Sequence, residues 1–462
     1  MKCAKYDEHT DKSETRKRFW LAFLVALPII SIVLSIPVGL RLLNGESGLD
    51  TAYRYRFSRP APGSVTQALG REMTFYQERI RRAPEDGLNR AILASTYLKM
   101  ARATGDASWY LQAEQAAQHS LIKLPFHNDG AVLVLARVAQ ARHDFAEAIR
   151  LAQQVSGKEE ALSVMVTANL ARGKVQEASV AADALVKTTP TVGGLTLRAL
   201  VKMAQGKDDA AIQNFHQALA AEEPEETGSS IWARTLLGRF YFKRGQLEKV
   251  RELYQEALRV LPQYPPALLN LAELEVRLGN YQAAERLYSQ VFLTSVRSPT
   301  VYDHIVMRGM ARVKELSGDK SKAQEWLNKA EARLRQDLTA FGHRRELARL
   351  LLERGNSKDV AEALTLMQAE VSVRRDAETL DTLALVLSRS GRWPEARAAI
   401  QEALRSGIRD PGLFYRAGVI EQALGNQPQS LAFFQLAKET DPTFNEQAQR
   451  ALGLGVGLLG MN

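Results

Sequence analysis

The stretch from Ile231 to Pro262 reads IWARTLLGRFYFKRGQLEKVRELYQEALRVLP, and the stretch from Pro266 to Phe292 reads PALLNLAELEVRLGNYQAAERLYSQVF. Aligned on each other, the two stretches match at Leu237 and Leu271, Gly238 and Ala272, Gly245 and Gly279, Val250 and Ala284, and Tyr254 and Tyr288, always with the same offset. Apolar residues recur at helical intervals on both sides of each matched glycine turn. The spacing therefore predicts that each stretch forms two amphipathic helices joined by a glycine turn.

The matched residues are those that such a helix pair needs. Gly238 is small where the first helix would pack closest on the second, and Gly245 would end the first helix in a left-handed conformation that glycine adopts at little cost. Tyr254 lies one helical turn beyond Val250 on the buried face of the second helix. Pro262 follows the second helix and stops it.

The same register continues along most of the chain. The small residue of each first helix falls at Ala94, Ala136, Val166, Ala199, Gly238, Ala272, Ala311, Ala348, Ala384 and Gly418. Most of the turns contain glycine, and one contains His143 instead. The period and the pattern resemble those of the tetratricopeptide repeat, a helix–turn–helix unit of about 34 residues. The resemblance implies an all-α fold, a right-handed superhelical solenoid of about ten helix pairs whose concave face is lined by the first helices.

An uncharged run, Phe19–Leu40, lies near the start of the chain. As a helix it would extend roughly 33 Å, close to the thickness of the hydrocarbon core of a bilayer. Its length, and the lack of a small-residue cleavage pattern, favour an uncleaved transmembrane helix over a signal peptide. Because Arg16, Lys17 and Arg18 precede it, we expect a single-pass inner-membrane protein with a cytoplasmic N-terminus and an extracytoplasmic or periplasmic solenoid. The Lys/Arg bias is modest, so the opposite topology stays open.

The sequence divides into six parts. We expect a cytoplasmic tail at 1–18, a transmembrane helix at 19–40, a linker at 41–64, an N-terminal capping helix at 65–85, the solenoid at 86–442, and a C-terminal cap and tail at 443–462. The linker contains an aromatic and basic alternation, Tyr53–Phe57. That alternation fits a simple tether, a contact with lipid headgroups or a short strand.

Composition excludes several classes of protein. The chain has 462 residues, a formal net charge of +9 and one cysteine, Cys3, which rules out an internal disulfide and a zinc site built on cysteines. No two of the seven histidines have the spacing of metal ligands on a helix, and the charge is too evenly spread for nucleic acid as the main partner. No catalytic or nucleotide-binding motif stands out. We therefore expect no enzyme activity, no metal and no cofactor.

The resemblance implies which residues face the concave groove, namely those three before and one after the small residue of each first helix. Several of these positions hold arginine: Arg239, Arg308, Arg312, Arg345 and Arg349. Asn270 lies two residues before Ala272, at a position often used to clamp a peptide backbone. The set resembles in part the carboxylate clamp of peptide-binding repeats, which implies protein or peptide partners and favours acidic ones. Each arginine has an alternative interpretation, as a solvated residue or as part of an ion pair with a neighbouring glutamate.

These features lead to a functional hypothesis. We expect a membrane-tethered scaffold or adaptor that binds partner proteins in its groove and organises an envelope assembly, export or secretion complex. Two alternatives stay open, an accessory subunit that binds polysaccharide or peptidoglycan and a part of a glycosyltransferase. The glycosyltransferase requires a non-repeat domain of about 100 residues, for which the anchor, linker, repeats and caps leave no room. The sequence does not specify the oligomeric state.

Overall fold

The computed structural model describes residues 51–155, 159–295, 299–341, 343–354 and 356–454. The chain divides into two compact units, Met1–Thr51 and Ala52–Asn462, and every described α-helix belongs to the second unit. The described residues form 22 α-helices and two 3-10 helices, the latter at Thr51–Tyr53 and Pro224–Glu226.

The first eleven helices are α1 (Ser64–Arg82), α2 (Gly87–Thr104), α3 (Ser108–Lys123), α4 (Asp129–Ala141), α5 (Phe145–Gln153), α6 (Glu159–Ala171), α7 (Val175–Thr188), α8 (Val192–Ala204), α9 (Asp208–Ala220), α10 (Thr227–Phe242) and α11 (Leu247–Val260). The remaining eleven are α12 (Pro265–Arg277), α13 (Tyr281–Ser295), α14 (Asp303–Leu316), α15 (Lys320–Phe341), α16 (Arg344–Arg354), α17 (Ser357–Val373), α18 (Ala377–Arg389), α19 (Trp393–Leu404), α20 (Pro411–Ala423), α21 (Gln427–Thr440) and α22 (Glu446–Ala451).

The helices are arranged in consecutive pairs. Each even-numbered helix from α2 to α20 packs mainly on the odd-numbered helix that follows it, so that α2–α21 form ten pairs. We call the even-numbered member of each pair its first helix and the odd-numbered member its second helix. The single helix α1 packs on α2, and α22 packs on α12. The predicted all-α solenoid of repeated helix pairs is thereby confirmed for the described residues.

Glycines at the helix crossings let bulky rings lie against the backbone. A Cβ on Gly238 would overlap the ring of Tyr254, and a Cβ on Gly418 would lie 2.6 Å from the ring of Phe434. Tyr254 is almost fully buried at this crossing. The small residue of the first helix and the aromatic residue of the second therefore form one packing unit, because the ring occupies the space that a side chain would need.

The array of pairs coils back on itself, so that later pairs stack on earlier ones. The N–H of Val301 donates to the carbonyl oxygen of Gly105 (2.9 Å), and the N–H of Arg375 donates to that of Ala171 (2.8 Å). In both cases the turn at the end of a first helix contacts the loop between two pairs that lie much later in the chain. We call α2–α13 the first coil and α14–α22 the second coil.

Turn glycines of the first coil permit this close stacking. A Cβ on Gly206 would overlap the carbonyl oxygen of Gly407, and a Cβ on Gly173 would lie 2.6 Å from that of Arg375. Gly391, a turn glycine of the second coil, has the same left-handed conformation, but no described atom lies within 4 Å of its Cβ position. The first-coil glycines are therefore needed for the stacking as well as for their backbone conformation.

A buried ion pair joins the two coils near the C-terminal end. The Arg277 guanidinium forms an ion pair with Asp441, and it also donates to the hydroxyl of Thr443 (2.8 Å) and the carbonyl oxygen of Phe242 (3.0 Å). Arg277 and Asp441 are almost fully buried. Because a buried charge is costly without a partner, loss of either side chain would destabilise this contact.

Three histidines meet where the coils touch. The ring centroids of His304 and His343 are 4.7 Å apart, and those of His143 and His343 are 6.2 Å apart. His143 occupies the turn that lacks glycine and has a positive φ of 62°. Burial, and then the neighbouring His343, lower the pKa of His304 to about 3. His304 is therefore neutral in the folded protein at neutral and mildly acidic pH.

The N-terminal residues of the described unit pack on the solenoid. The Tyr55 N–H donates to Glu256 (2.7 Å), and the Arg234 guanidinium donates to the carbonyl oxygen of Tyr53 (2.7 Å). Both tyrosines are buried. We call Ala52–Arg59 the strap. Its aromatic residues contact the solenoid. The sequence had left three interpretations of this segment open, namely a simple tether, a contact with lipid headgroups and a short strand.

The predicted localisation, a single-pass membrane protein, is contradicted. Among the described residues, no helix combines the length and the apolar character that crossing a bilayer requires. The physical reason is that the helices of the solenoid pack as pairs and expose a polar side. The predicted cytoplasmic tail at 1–18 and the predicted transmembrane helix Phe19–Leu40 lie outside the described residues.

The stacking predicts that two chemically identical changes have different effects. Gly391→Ala should cost about 1 kcal/mol, because alanine is strained at a positive φ. Gly206→Ala should cost at least about 1 kcal/mol more, because its Cβ also meets the carbonyl oxygen of Gly407. Urea unfolding of the two variants measures the difference. Equal losses would show that the coils do not stack in this register.

The buried histidine predicts a loss of stability in acid. Because the pKa of His304 falls from its usual 6.5 to about 3, the unfolded chain binds this proton more strongly than the folded chain does. The contribution of His304 to the free energy of unfolding is therefore fully present above pH 6.5 and is lost as the pH falls toward 3. At pH 5 the loss amounts to about 1–2 kcal/mol. His304→Gln should reduce the difference in unfolding free energy between pH 7 and pH 5 by that amount. The exposed control His119→Gln should leave the difference unchanged, and equal behaviour of the two variants would contradict this account.

Candidate functional site

First helices of the two coils face each other inside the solenoid. Lys243, which directly follows α10, forms an ion pair with Asp410, which precedes α20, and its Nζ lies 3.8 Å from Oε1 of Glu378 in α18. Against the effect of burial, Asp410 and Glu378 raise the pKa of the Lys243 ammonium. We call the surface formed by these first helices the inner face. The six residues that the sequence proposed for the groove all belong to first helices, namely α10, α12, α14 and α16.

Arg239 lies in the first of these helices and is already paired. Its guanidinium forms an ion pair with Glu273 on the next first helix, α12. The Glu273 carboxylate raises the pKa of Arg239 above its usual value. Asn270, also on α12, is half-buried, and its side chain has no hydrogen-bond partner among the described residues. Asn270 is thus available to a ligand, whereas Arg239 holds adjacent repeats together.

Arg308 and Arg312 of α14 share one carboxylate. Nη2 of Arg308 lies 2.7 Å from Oε1 of Glu353 in α16, and Nη2 of Arg312 lies 3.4 Å from the same oxygen. Arg312 also pairs with Glu315 on its own helix at 2.6 Å. Against the effect of burial, Arg308 and Arg312 lower the pKa of Glu353. The Glu353 carboxylate is therefore charged and links α14 to α16.

Arg345 of α16 is held by three carboxylates. Its guanidinium lies 2.8 Å from Glu346, 3.3 Å from Glu378 and 3.6 Å from Asp376. Against the effect of burial, Arg345 and Lys243 lower the pKa of Glu378. The Glu378 side chain is 52% exposed, so that water weakens these attractions. Arg345 thus connects α16 to the start of α18.

Arg349 differs from the other four arginines because it has no carboxylate partner. Within the described residues it forms no ion pair and no hydrogen bond, although it is half-buried. Burial, and then the neighbouring Arg308, lower the pKa of the Arg349 guanidinium. The acidic residues near it are already engaged, since Asp381 pairs with Arg416 and Glu378 with Arg345. Asp381 and Glu378 attract the Arg349 guanidinium without pairing with it, so Arg349 presents a partly desolvated positive charge that forms no direct ion pair among the described residues.

Sequence reasoning placed Glu273 and Asp381 at groove-facing positions but missed three other charged residues that organise the inner face, Lys243, Glu353 and Asp410. Glu353 follows Arg349 by four residues and Lys243 follows Arg239 by four, so helical spacing placed each of them on a groove-facing side. Asp410 gave no such signal, because it reaches Lys243 only after the two coils have stacked.

The chemistry of the inner face is electrostatic. Among the described residues, no group of three or more His, Cys, Asp or Glu side chains is placed to hold a metal ion. The arrangement fixes guanidinium groups by ion pairs and leaves Arg349 and Asn270 without partners in the part of the chain that the structure describes. An unpaired guanidinium such as that of Arg349 is able to bind a carboxylate through charge-assisted hydrogen bonds.

Comparison with protein families matches the repeats directly. One model described as tetratricopeptide repeat matches residues 194–263 and 265–336. A second model with the same description matches 235–292 and 382–443. The matched segments include α10 to α13, the helices formed by the two stretches that first indicated the period.

Two curated relatives match parts of the chain. Cellulose synthase 1 operon protein C of Komagataeibacter xylinus is 24% identical over 240 residues, which cover 49% of this chain and 17% of that protein. Uncharacterized protein ycf37 of Pyropia yezoensis is 34% identical over 65 residues, which cover 14% of this chain and 36% of that protein. The chain thus spans well under half the length of either relative.

Solved structures of helical solenoids also resemble the chain. The human IFIT1 dimer with PPP-AAAA has a TM-score of 0.45 and 13% sequence identity, covering 81% of this chain and 86% of that chain.

Tetratricopeptide repeats are typically non-catalytic and generally mediate the binding of proteins or peptides. From the two matching repeat models and the ten observed helix pairs, we conclude that this chain belongs to the tetratricopeptide repeat superfamily.

Proposed function

We propose that this chain is a non-enzymatic scaffold whose inner face binds an acidic segment of a partner protein at Arg349. The observation that carries the proposal is the lack of any carboxylate partner for Arg349 among the described residues, in a region where the other arginines are paired. A partner carboxylate would neutralise this partly desolvated charge. Such a bond contributes about 1.5–3 kcal/mol.

The surrounding residues have supporting parts in this proposal. Arg308, Arg312 and Arg345 hold the carboxylates that fix α14, α16 and α18 around Arg349. Asn270, two repeats before α16, offers a side-chain amide to the backbone of the same bound segment. Arg239 keeps α10 and α12 in register through Glu273. In this proposal two of the six predicted groove residues, Arg349 and Asn270, bind the partner segment. The other four hold the helices in place around it.

The relative named for a cellulose synthase operon supports a finer form of the proposal. Its similarity to half of this chain favours a scaffold that assembles the proteins of polysaccharide synthesis or export. It also favours a second candidate, in which the repeats bind the polysaccharide itself. A neutral cello-oligosaccharide separates the two, because its binding would not depend on Arg349.

The proposal predicts that Arg349→Gln weakens the binding of a fluorescently labelled decaglutamate peptide about 10- to 100-fold. The fold should persist, because no carboxylate of the solenoid loses its partner in this variant. Fluorescence anisotropy measures the affinity, and raising the salt concentration should weaken binding to the wild type more than binding to the variant.

The matched control is Arg286→Gln, which removes the same charge from an exposed site on the second helix α13. It should leave the affinity for the peptide within about twofold of wild type, since exposed charges contribute little. If Arg349→Gln and Arg286→Gln bind the peptide equally well, the inner face does not recognise acidic segments through Arg349. If only cello-oligosaccharide binds, the second candidate replaces the first.

A further inference from the structure

The strap lies in a groove that is built by two second helices and the first helix between them. The ring of Tyr53 lies 6.0 Å from that of His216 in α9, and its hydroxyl lies 3.0 Å from that of Tyr241 in α10. On the other side of the groove, Glu256 of α11 accepts from the Tyr55 N–H at 2.7 Å. A short aromatic segment, which begins in the 3-10 helix Thr51–Tyr53, thus occupies the space between α9 and α11, over α10.

The strap is held by its backbone as well as by its rings. Arg234 of α10 donates to the carbonyl oxygen of Tyr53, and Glu256 accepts from the N–H two residues later. The groove therefore binds this segment through backbone groups and through two buried rings, those of Tyr53 and Tyr55.

An equivalent groove earlier in the array has no such occupant among the described residues. A cavity of about 420 Å³ lies between α5 and α7, over α6. The repeat register relates α6 and α7 to α10 and α11, since Val166 corresponds to Gly238 and Ala178 to Val250. In the same way Ala148 of α5 corresponds to Ala211 of α9.

The correspondence extends to four of the side chains that contact the strap. The positions of His216, Arg234, Tyr241 and Glu256 are taken in the earlier groove by Gln153, Leu162, Asn169 and Ala184. All four of these replacements line the cavity. The two grooves are therefore the same structural site, one filled by the strap and one open.

The side chains of the open groove fit a different segment. Leu162, Met165 and Ala184 give it an apolar floor, where the filled groove has Arg234 and Glu256 to bind a backbone. Arg172 and Lys174 stand at one end, near the turn between α6 and α7, and outnumber the one carboxylate that lines this cavity, Glu177. Neither cation forms an ion pair among the described residues. This end attracts a carboxylate.

We propose that the groove between α5 and α7 binds a segment of a partner protein that carries a large apolar side chain next to an acidic residue. The apolar side chain lies on Leu162 and Met165 of α6, while the acidic residue meets Arg172 and Lys174. This surface lies between the second helices α5 and α7 and is separate from Arg349. The proposal extends the proposed function by adding a second docking surface.

The test uses a synthetic peptide derived from the strap. In the probe TAYEYEFSRP, glutamates replace the arginines at the positions of Arg54 and Arg56, so that aromatic and acidic residues alternate. Isothermal titration measures its affinity for the full chain. We expect saturable binding, at least fivefold tighter than that of the unmodified sequence TAYRYRFSRP, because the rim of the groove is basic. Binding of the unmodified peptide with equal or higher affinity would overturn the proposal.

Val180→Glu is the variant that tests the site. Val180 lines the groove and is 64% exposed, so that its replacement should not disturb folding. It should weaken binding of the probe at least fivefold more than Leu431→Glu, a control at an exposed leucine of α21. A smaller difference between these variants overturns the proposal. Arg349→Gln should leave binding of this probe unchanged, which separates failure of this groove from failure of the inner face.

Discussion

The close approach of backbone turns to backbone loops determines the rest of this structure. Where the first coil meets the second, N–H groups such as that of Val301 donate to carbonyl oxygens that lie far earlier in the chain. Only glycine at positions such as Gly206 leaves room for this approach. The stacking turns a linear array into a closed coil, because repeats of the second coil rest on repeats of the first.

The charges of the inner face follow from that closure. Lys243 reaches Asp410 only because the coils stack, and the carboxylates from α16 and α18 neutralise most of the inward arginines. Half-buried ion pairs of this kind fix geometry more than they add stability, since desolvation offsets much of the attraction. Arg349 is conspicuous against this background because its charge is left for a ligand.

The helix pairs were predictable from the sequence, whereas the contacts between coils were not. Pairing is a local matter of helical period, of small residues such as Gly238 and of turn glycines, all of which the sequence displays. The stacking depends on a small rotation added at each repeat, which no single residue encodes. Four of the five predicted groove arginines form ion pairs with carboxylates. The sequence analysis had given such ion pairs as an alternative interpretation of each arginine. The sequence indicates only a linker for the aromatic strap, because its partners, Arg234 and Glu256, lie far away along the chain.

Amide hydrogen exchange at Val301 and Arg375 tests the stacking of the coils most directly. Both N–H groups lie in or beside loops between helix pairs, and their acceptors, Gly105 and Ala171, belong to the other coil. The account predicts that these two amides exchange as slowly as those in the middle of neighbouring helices, because opening them requires the coils to separate. Exchange at the rate of a free loop, with the neighbouring helices still protected, would contradict the closed coil.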